Sequence, residues 1–429
     1  MEDRARGPAC GRTTGRQQPG DAAARHPGPA KFSSARPRAR HRRIVIGPAR
    51  GQRFDARRPA THARRPLPSA GSVLVVGSDD SRGLLAAVRS LADFGWHVGV
   101  CTPTRHTLVG ASKHAVEWHE LGEDVVASVT SAVTAGGYDV VLPGGDAELL
   151  ALSEARDDIP CVVPYGTRES VRCILDKLAM TEAAARVGLG VPRTRPATDE
   201  EIDTVTATMV LKSRSHALLR SETLVSDDPA ELRAAADAMR ASGAEPILQE
   251  HCDGRLIAVS LVLGDDARVL AAVQQQATGL WPPEAGISVS AETVETDPVL
   301  VEQLAGFLDS IGWRGLAEAQ FLETRRGPLL IDVNGRCYGS MALASAAGVD
   351  LAAVWATSSI GADVIAPAAE AGVRYQWLYG DVRRGWRSGR DVLGPLVKSW
   401  RATHSVWSLR DPKPSMSYLR TLFRSVRDR

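Results

Sequence analysis

Apolar residues are sparse over the first 70 positions and then recur in short runs separated by Gly-containing turns. Within 1–70 they cluster only at Ile44-Val45-Ile46, in a background of Arg, Pro, Gly and Ala. Such a stretch buries too little surface to offset its ordering entropy, so 1–70 is expected to be a disordered basic extension. Order begins at Ser72-Val73-Leu74-Val75-Val76, an apolar, β-branched strand pattern. The turn Gly77-Ser78-Asp79-Asp80-Ser81-Arg82-Gly83 follows, then a helical stretch from Leu84 to Phe94. A second strand is predicted over Trp96 to Cys101, and a third over Tyr138 to Leu142, ending at Pro143-Gly144-Gly145-Asp146. Strand, Gly turn, helix is the opening of a doubly wound α/β sheet. Ligands of such sheets lie outside the carboxyl ends of the strands, which places Ser78 to Arg82 and Gly144 to Asp146 near a candidate site. The turn lacks the glycine fingerprint of a dinucleotide site, which argues against NAD.

A new pattern starts near Thr167. Arg168 to Leu175 reads as a helix, and Asp176-Lys177 opens another from Leu178 to Val187, stopped by Gly188. Strands are predicted over Thr208 to Lys212 and Pro246 to Glu250, with a helix over Pro229 to Ser242 between them. Ala258 to Leu263 and Ala267 to Gln275 read as one hairpin; Gly315 to Leu322 and Pro328 to Val333 read as another, turning at Arg325-Arg326-Gly327. A helix of small residues, Ser340 to Ala347, comes next.

The 429 residues suffice for two or three domains, and a formal net charge of +2 does not point to nucleic acid. The charge is unevenly spread: 17 Lys/Arg against 4 Asp/Glu in 1–70, and 35 against 46 elsewhere. A nucleic-acid-binding arm rests on that composition alone, and no nucleic-acid partner is expected. Arg42-Arg43 begins like a twin-arginine signal, but the apolar stretch after it is too short. Cys10, Cys101, Cys161, Cys173, Cys252 and Cys337 are scattered, without a CxxC pair or zinc-type Cys/His spacing. That fits a reducing, cytoplasmic setting. No apolar run approaches the roughly 18 residues of a membrane span.

Several residues carry chemistry. Lys212 closes an apolar strand, where a lysine suits an anion better than bulk solvent; Lys177 opens a helix. An anion held there needs cations that do not titrate near neutral pH, and these two lysines are expected to supply them. Gln320 and Asp332 stand twelve apart across a tight turn, a spacing that suits opposed positions of a hairpin. Glu318 shares the face of Gln320, and Asn334 that of Asp332, because strand side chains alternate. Magnesium takes hard oxygen ligands of this kind. The plain alternatives are solvated lysines and an ordinary Asp-Val-Asn-Gly turn.

Taken in order, Asp176-Lys177, Val210-Leu211-Lys212, Leu248-Gln249-Glu250, Ala319-Gln320-Phe321 and Ile331-Asp332-Val333-Asn334-Gly335-Arg336 resemble the ATP-grasp superfamily. The likeness spans about residues 71 to 366 and looks closest to bacterial carbamoyl-phosphate-synthase-like and carboxylate–amine ligases. It implies an α/β protein with α+β lobes: a pre-ATP-grasp Rossmann-like domain over 71–165, then a two-lobed ATP-grasp domain over 166–366, with 367–429 as an extension. It also implies ATP with magnesium, or manganese in its place. Lys177 and Lys212 would meet the phosphates. Gln249 and Glu250 would face the nucleotide, and the backbone of His251, Cys252 and Asp253 would meet the purine edge. Gln320 and Asp332 would hold the metal with Glu318 and Asn334. Arg336, together with Lys212, would stabilise the transferred phosphoryl group. The implied chemistry activates a small-molecule carboxylate as an acyl phosphate and passes it to an amine or another nucleophile.

Three departures from the family pattern stand out. Gln320 replaces an acid, and Glu318 is expected to compensate. Asn-Gly-Arg replaces Asn-Pro-Arg, which is expected only to loosen the backbone. The loop from Ser213 to Arg220 lacks glycines, so Arg214 or Ser215 is expected to act on phosphate through its side chain. The first and third departures favour the alternative of a catalytically degenerate ATP-binding regulatory or scaffold module. In the Trp- and Arg-rich extension, Tyr418 to Val426 reads as an amphipathic helix: a packing appendage, or a contact to a membrane or a partner.

Overall fold

The computed structural model describes residues 44–45, 71–77, 81–215, 223–282, 286–387, 395 and 399–427, with side chains other than those of 44–45, 387 and 420–427. The segment His41–Arg429 makes one compact unit. The expectation for 1–70 lies outside the described residues except at Ile44–Val45 (β1). Part of that predicted apolar cluster does form a strand.

The first sheet follows the expected alternation. Ser72–Val76 (β2), Arg82–Asp93 (α1), His97–Thr102 (β3), Glu117–Glu120 (β4), Val125–Gly136 (α2), Val140–Pro143 (β5) and Asp146–Glu154 (α3) succeed one another. The strands are all parallel in the order β4-β3-β2-β5. Strand β4 was not predicted: Glu117 to Glu120 is polar and edge-lying, so it carries no apolar run. Ser81 caps α1 by accepting from the Leu84 amide at 3.2 Å. Gly83 lets α1 rest on the Cys337–Tyr338 backbone, because a Cβ there would lie 2.2 Å from the Tyr338 carbonyl oxygen.

Two helices, Arg168–Leu175 (α4) and Lys177–Arg186 (α5), lead into a smaller lobe. That lobe comprises Thr194–Pro196 (β6), Asp199–Asp203 (α6), Met209–Ser213 (β7), Leu224–Ser226 (β8), Pro229–Ala241 (α7) and Pro246–Glu250 (β9). Its antiparallel sheet runs β6-β9-β7-β8 and closes on its own core, with Ile202, Leu211, Leu232 and Leu248 buried together.

The large sheet takes Arg255–Leu263 (β10), Val269–Trp281 (β11), Ile287–Val294 (β12), then Pro298–Ser310 (α8), Gly315–Thr324 (β13) and Gly327–Asn334 (β14). Met341–Ala346 (α9), Leu351–Ser359 (α10), Val364–Ile365 (β15), Arg374–Gln376 (β16), Leu378–Arg387 (α11), Thr403–His404 (β17) and Pro412–Arg427 (α12) complete the chain. The sheet order is β14-β13-β10-β11-β12-β16-β17, and β1 pairs with β15 in parallel. Both β12 and α8 escaped the sequence reading. The period-two burial of Val289, Ala291 and Thr293, and Asp297 capping a helix that starts at Pro298, were their signals. The first sheet and the large sheet share one apolar core, from Val73 to Val406. Helix α12 begins at Pro412, six residues before the predicted start.

Candidate functional site

The hairpin β13–β14 has the predicted register. Gln320 faces Asp332, and Glu318 faces Asn334. The Asn334 amide donates to Glu318 Oε2 at 2.7 Å, and the Gln320 amide donates to the same oxygen at 3.3 Å. Glu318 is buried, and burial pushes its carboxyl up to about 7 against those two donors. With both amide nitrogens turned to Glu318, the amide oxygens of Gln320 and Asn334 are left as acceptors.

The two lysines converge on the same strand. Asp176 caps α5 by accepting from the Leu178 and Ala179 amides at 3.0 and 3.1 Å, which fixes Lys177 at the first helical position. Lys177 is buried and its Nζ is paired with Asp332 Oδ1. Lys212, at the end of β7, donates to Gln249 Oε1 at 2.9 Å and to the Ile331 carbonyl at 3.3 Å. Gln249 is held in turn by donating to Thr194 Oγ1 at 2.9 Å. Burial, then the charge of Lys177, pushes Lys212 down to about 7, with Asp332 opposing. The expectation of cations that do not titrate near neutrality is therefore corrected for Lys212: a desolvated ammonium beside a second one loses its proton easily.

Arg336 reaches out of the hairpin to the first sheet. Its Nε donates to Asp146 Oδ1 at 2.9 Å, at the start of α3, beyond the carboxyl end of β5. The strand-end position expected for Gly144 to Asp146 is thus occupied by a partner of the candidate site. Ser78 to Asp80, the other predicted strand-end residues, lie outside the described residues apart from the flanking Ser81 and Arg82.

Known proteins resemble the chain in fold. Residues 244–380 match a family described as ATP-grasp in the biosynthetic pathway with Ter operon. No curated protein matches the chain by sequence. Among solved structures, biotin carboxylase from Campylobacter jejuni, as its β,γ-ATP complex, superposes with TM-score 0.58 at 15% identity, over 71% of this chain and 74% of that one. An ADP complex of N5-carboxyaminoimidazole ribonucleotide synthetase gives 0.59 at 14%, over 76% and 86%. The L-amino acid ligase from Bacillus licheniformis gives 0.52 at 14%, over 68% and 75%.

The chain has the ATP-grasp fold.

At three positions the structure differs from the sequence expectation. Gly335 does more than loosen the backbone: a Cβ there would stand 2.3 Å from Trp313 Cη2 and 2.6 Å from Ile174 Cδ1. The expectation is corrected, because the Asn-Gly-Arg turn is packed too closely for any side chain. The Arg214 side chain is engaged by two carboxylates. Its guanidinium holds Asp176, with Nη2 at 2.6 Å, and Glu245 at 2.9 Å, while its carbonyl accepts from the Lys177 amide at 2.9 Å. It ties the α5 start to the end of β7. Ser215 accepts at its carbonyl from Ser213 Oγ at 2.7 Å, and residues 216–220 of that loop lie outside the described residues. Gln249 likewise spends its side chain on Lys212 and Thr194, so any part it takes in the nucleotide site is through Lys212.

The remaining predicted nucleotide contacts lie at and beyond the end of β9. Glu250 accepts from Arg326 at 2.9 Å and from the Arg193 amide at 3.2 Å, and Arg326 also meets the buried Cys252. His251 and Asp253 are exposed. Thr194, Arg193 and Arg326 were missed in the sequence, where nothing marks a residue whose task is to orient another. A metal fits the hairpin by donor chemistry: two carboxylates and two amide oxygens are hard ligands suited to magnesium or manganese and poorly suited to zinc. Among the described residues no three His, Cys, Asp or Glu side chains are grouped to hold a metal. No described helix is long and apolar enough to cross a membrane.

Proposed function

We propose that the protein is an ATP-dependent ligase that activates a small-molecule carboxylate and joins it to an amine. The observation that carries this reading is that buried Lys177, Lys212 and Glu318 meet half-buried Asp332 and Asn334 on an ATP-grasp fold. In the first step a carboxylate oxygen forms a bond to the γ-phosphorus of ATP, the bond from that phosphorus to the bridging oxygen breaks, and ADP leaves. In the second, the amine nitrogen bonds the acyl carbon, phosphate departs with the C–O electron pair, and the amine sheds a proton. Lys177 and Lys212 take up phosphate charge, and Arg336 steadies the phosphoryl group in flight. Glu318, Gln320, Asp332 and Asn334 would hold magnesium, which when bound neutralises the developing phosphate charge. The backbone of His251, Cys252 and Asp253, with Glu250, would receive the purine. Solved structures of this fold include a magnesium–ADP complex, which supports ATP and magnesium here.

The test is ADP release by the full chain with magnesium and pooled carboxylates and amines, followed by the mass of the product. A product heavier than the carboxylate by the amine less one water is expected. A second reading, an ATP-binding module without turnover, is favoured by Gln320 in place of an acid. It wins if ATP binds, no pool releases ADP, and Gln320→Glu restores nothing. The cytoplasm is the setting that the scattered cysteines, free among the described residues, suit best.

A further inference from the structure

The segment from Ser399 to Leu419 is pinned to the first sheet's domain by a buried polar clamp. Asp411 is 1% exposed and accepts from Ser112 Oγ at 2.7 Å, the Lys113 amide at 3.0 Å and Arg89 Nε at 3.0 Å. Arg89 also donates to the Val406 and Asp411 carbonyls at 3.1 and 3.2 Å. Farther along, Ser417 Oγ donates to the His106 carbonyl at 3.0 Å. Burial would push the Asp411 carboxyl up, but these donors hold it below its ordinary value. The clamp leaves the residues around it pointing outward. Leu409 is 102% exposed, Trp400 93% and Met416 54%, and Arg401, Arg410 and Lys413 are exposed between them.

Two features of this face are unusual together. Asp411 is the sole acid from 399 to 419, and it is withdrawn into the clamp, so every solvent-facing charge there is positive. Leu419, 36% exposed, stands three residues past Met416 on α12, so the exposed apolar groups are set among the basic ones along one strip. Leu409 and Arg410 lie at the turn before α12, and Lys413 and Met416 are three apart on one face of its first turns. Large apolar groups interspersed with basic ones on an amphipathic helix and the turn before it match the headgroup level of a bilayer, where the apolar side chains enter a fluid medium and anionic lipid answers the charge.

We propose that this face, built from Leu409, Arg410, Lys413 and Met416, seats the protein on an anionic lipid bilayer. It is independent of the ligase reading, since none of these residues touches the candidate site and the measurement needs no turnover.

The experiment is co-sedimentation of the full chain with vesicles of phosphatidylcholine alone or mixed with phosphatidylglycerol. Binding is expected only with phosphatidylglycerol and should weaken as salt rises. Arg410→Gln/Lys413→Gln is expected to lower the partition coefficient about fivefold for each charge removed, since each is worth about 1 kcal/mol. Leu409→Ser/Met416→Ser should lower it further, with ATP affinity and melting temperature unchanged. The proposal is overturned by absence of binding, or by equal binding to neutral vesicles. It is also overturned if these substitutions leave binding intact, which would move the contact elsewhere, the basic 1–70 segment included. A dimer that Leu409→Ser/Met416→Ser converts to monomer would assign the face to a second copy instead.

Discussion

Lys212 meets two conflicting demands. The proposed function needs it charged to hold a phosphate, yet it is buried beside Lys177, which brings its proton loss down to about 7. On that proposal a bound triphosphate restores the charge, which would couple nucleotide binding to proton uptake. The charged form binds, so ATP affinity is expected to be flat below pH 7 and to fall as pH rises through 7, by at most tenfold per unit. Calorimetry in buffers of different ionisation enthalpy should show uptake of up to one proton at pH 8, absent in Lys212→Arg, whose guanidinium stays charged. Lys212→Ala is expected to cost ten- to a hundredfold in affinity, from loss of one charge-assisted contact of about 1.5–3 kcal/mol. Equal affinities for wild type and Lys212→Ala would make Lys212 a packing residue. Its strand-end place was legible in the sequence. Its partners were not, because Gln249 and Ile331 reach it from separate strands.

At the scale of elements, the pairing of Gln320 with Asp332 was expected from their twelve-residue spacing, but the turn alone does not set it: the pairs nearest the turn, Thr324 with Gly327 and Phe321 with Leu330, would bring Ile331 opposite Gln320, and an irregularity between Gln320 and Phe321 shifts Asp332 there instead. Gly335 was misread because what forbids its side chain is distant in sequence: Trp313 from before β13 and Ile174 from α4. Gly335→Ala is expected to cost about 1–3 kcal/mol as overpacking. The loss should appear as a lowered denaturation midpoint with an unchanged slope. Restoring the family's proline should not stabilise the turn either, because proline also carries a Cβ. Gln320→Glu puts a second carboxylate beside the buried Glu318. Like charges disfavour one another, so the metal-free protein should be less stable at pH 8 than wild type. Magnesium should remove that deficit, and turnover should be kept or raised. If magnesium does not narrow the gap in melting temperature, this hairpin is not the metal site.

For the whole molecule, the question is how the first sheet meets the candidate site on another sheet. The pair of Arg336 and Asp146, 190 residues apart, is the direct link, and no local pattern announces it. Both side chains are mostly buried, at 23% and 16% exposure. Breaking one partner of such a pair leaves an uncompensated charge and costs about 3–5 kcal/mol when burial is complete, whereas replacing both with apolar groups is often neutral. Asp146→Leu alone is therefore expected to destabilise the fold by about 2–4 kcal/mol. In Arg336→Met/Asp146→Leu most of that stability should return. Activity should behave differently, because Arg336 is assigned to the phosphoryl group as well as to Asp146. The double variant should melt near the wild type yet remain as slow as Arg336→Met. If turnover recovers along with stability, Arg336 is an interdomain strut and the phosphoryl group must be steadied by the lysines alone.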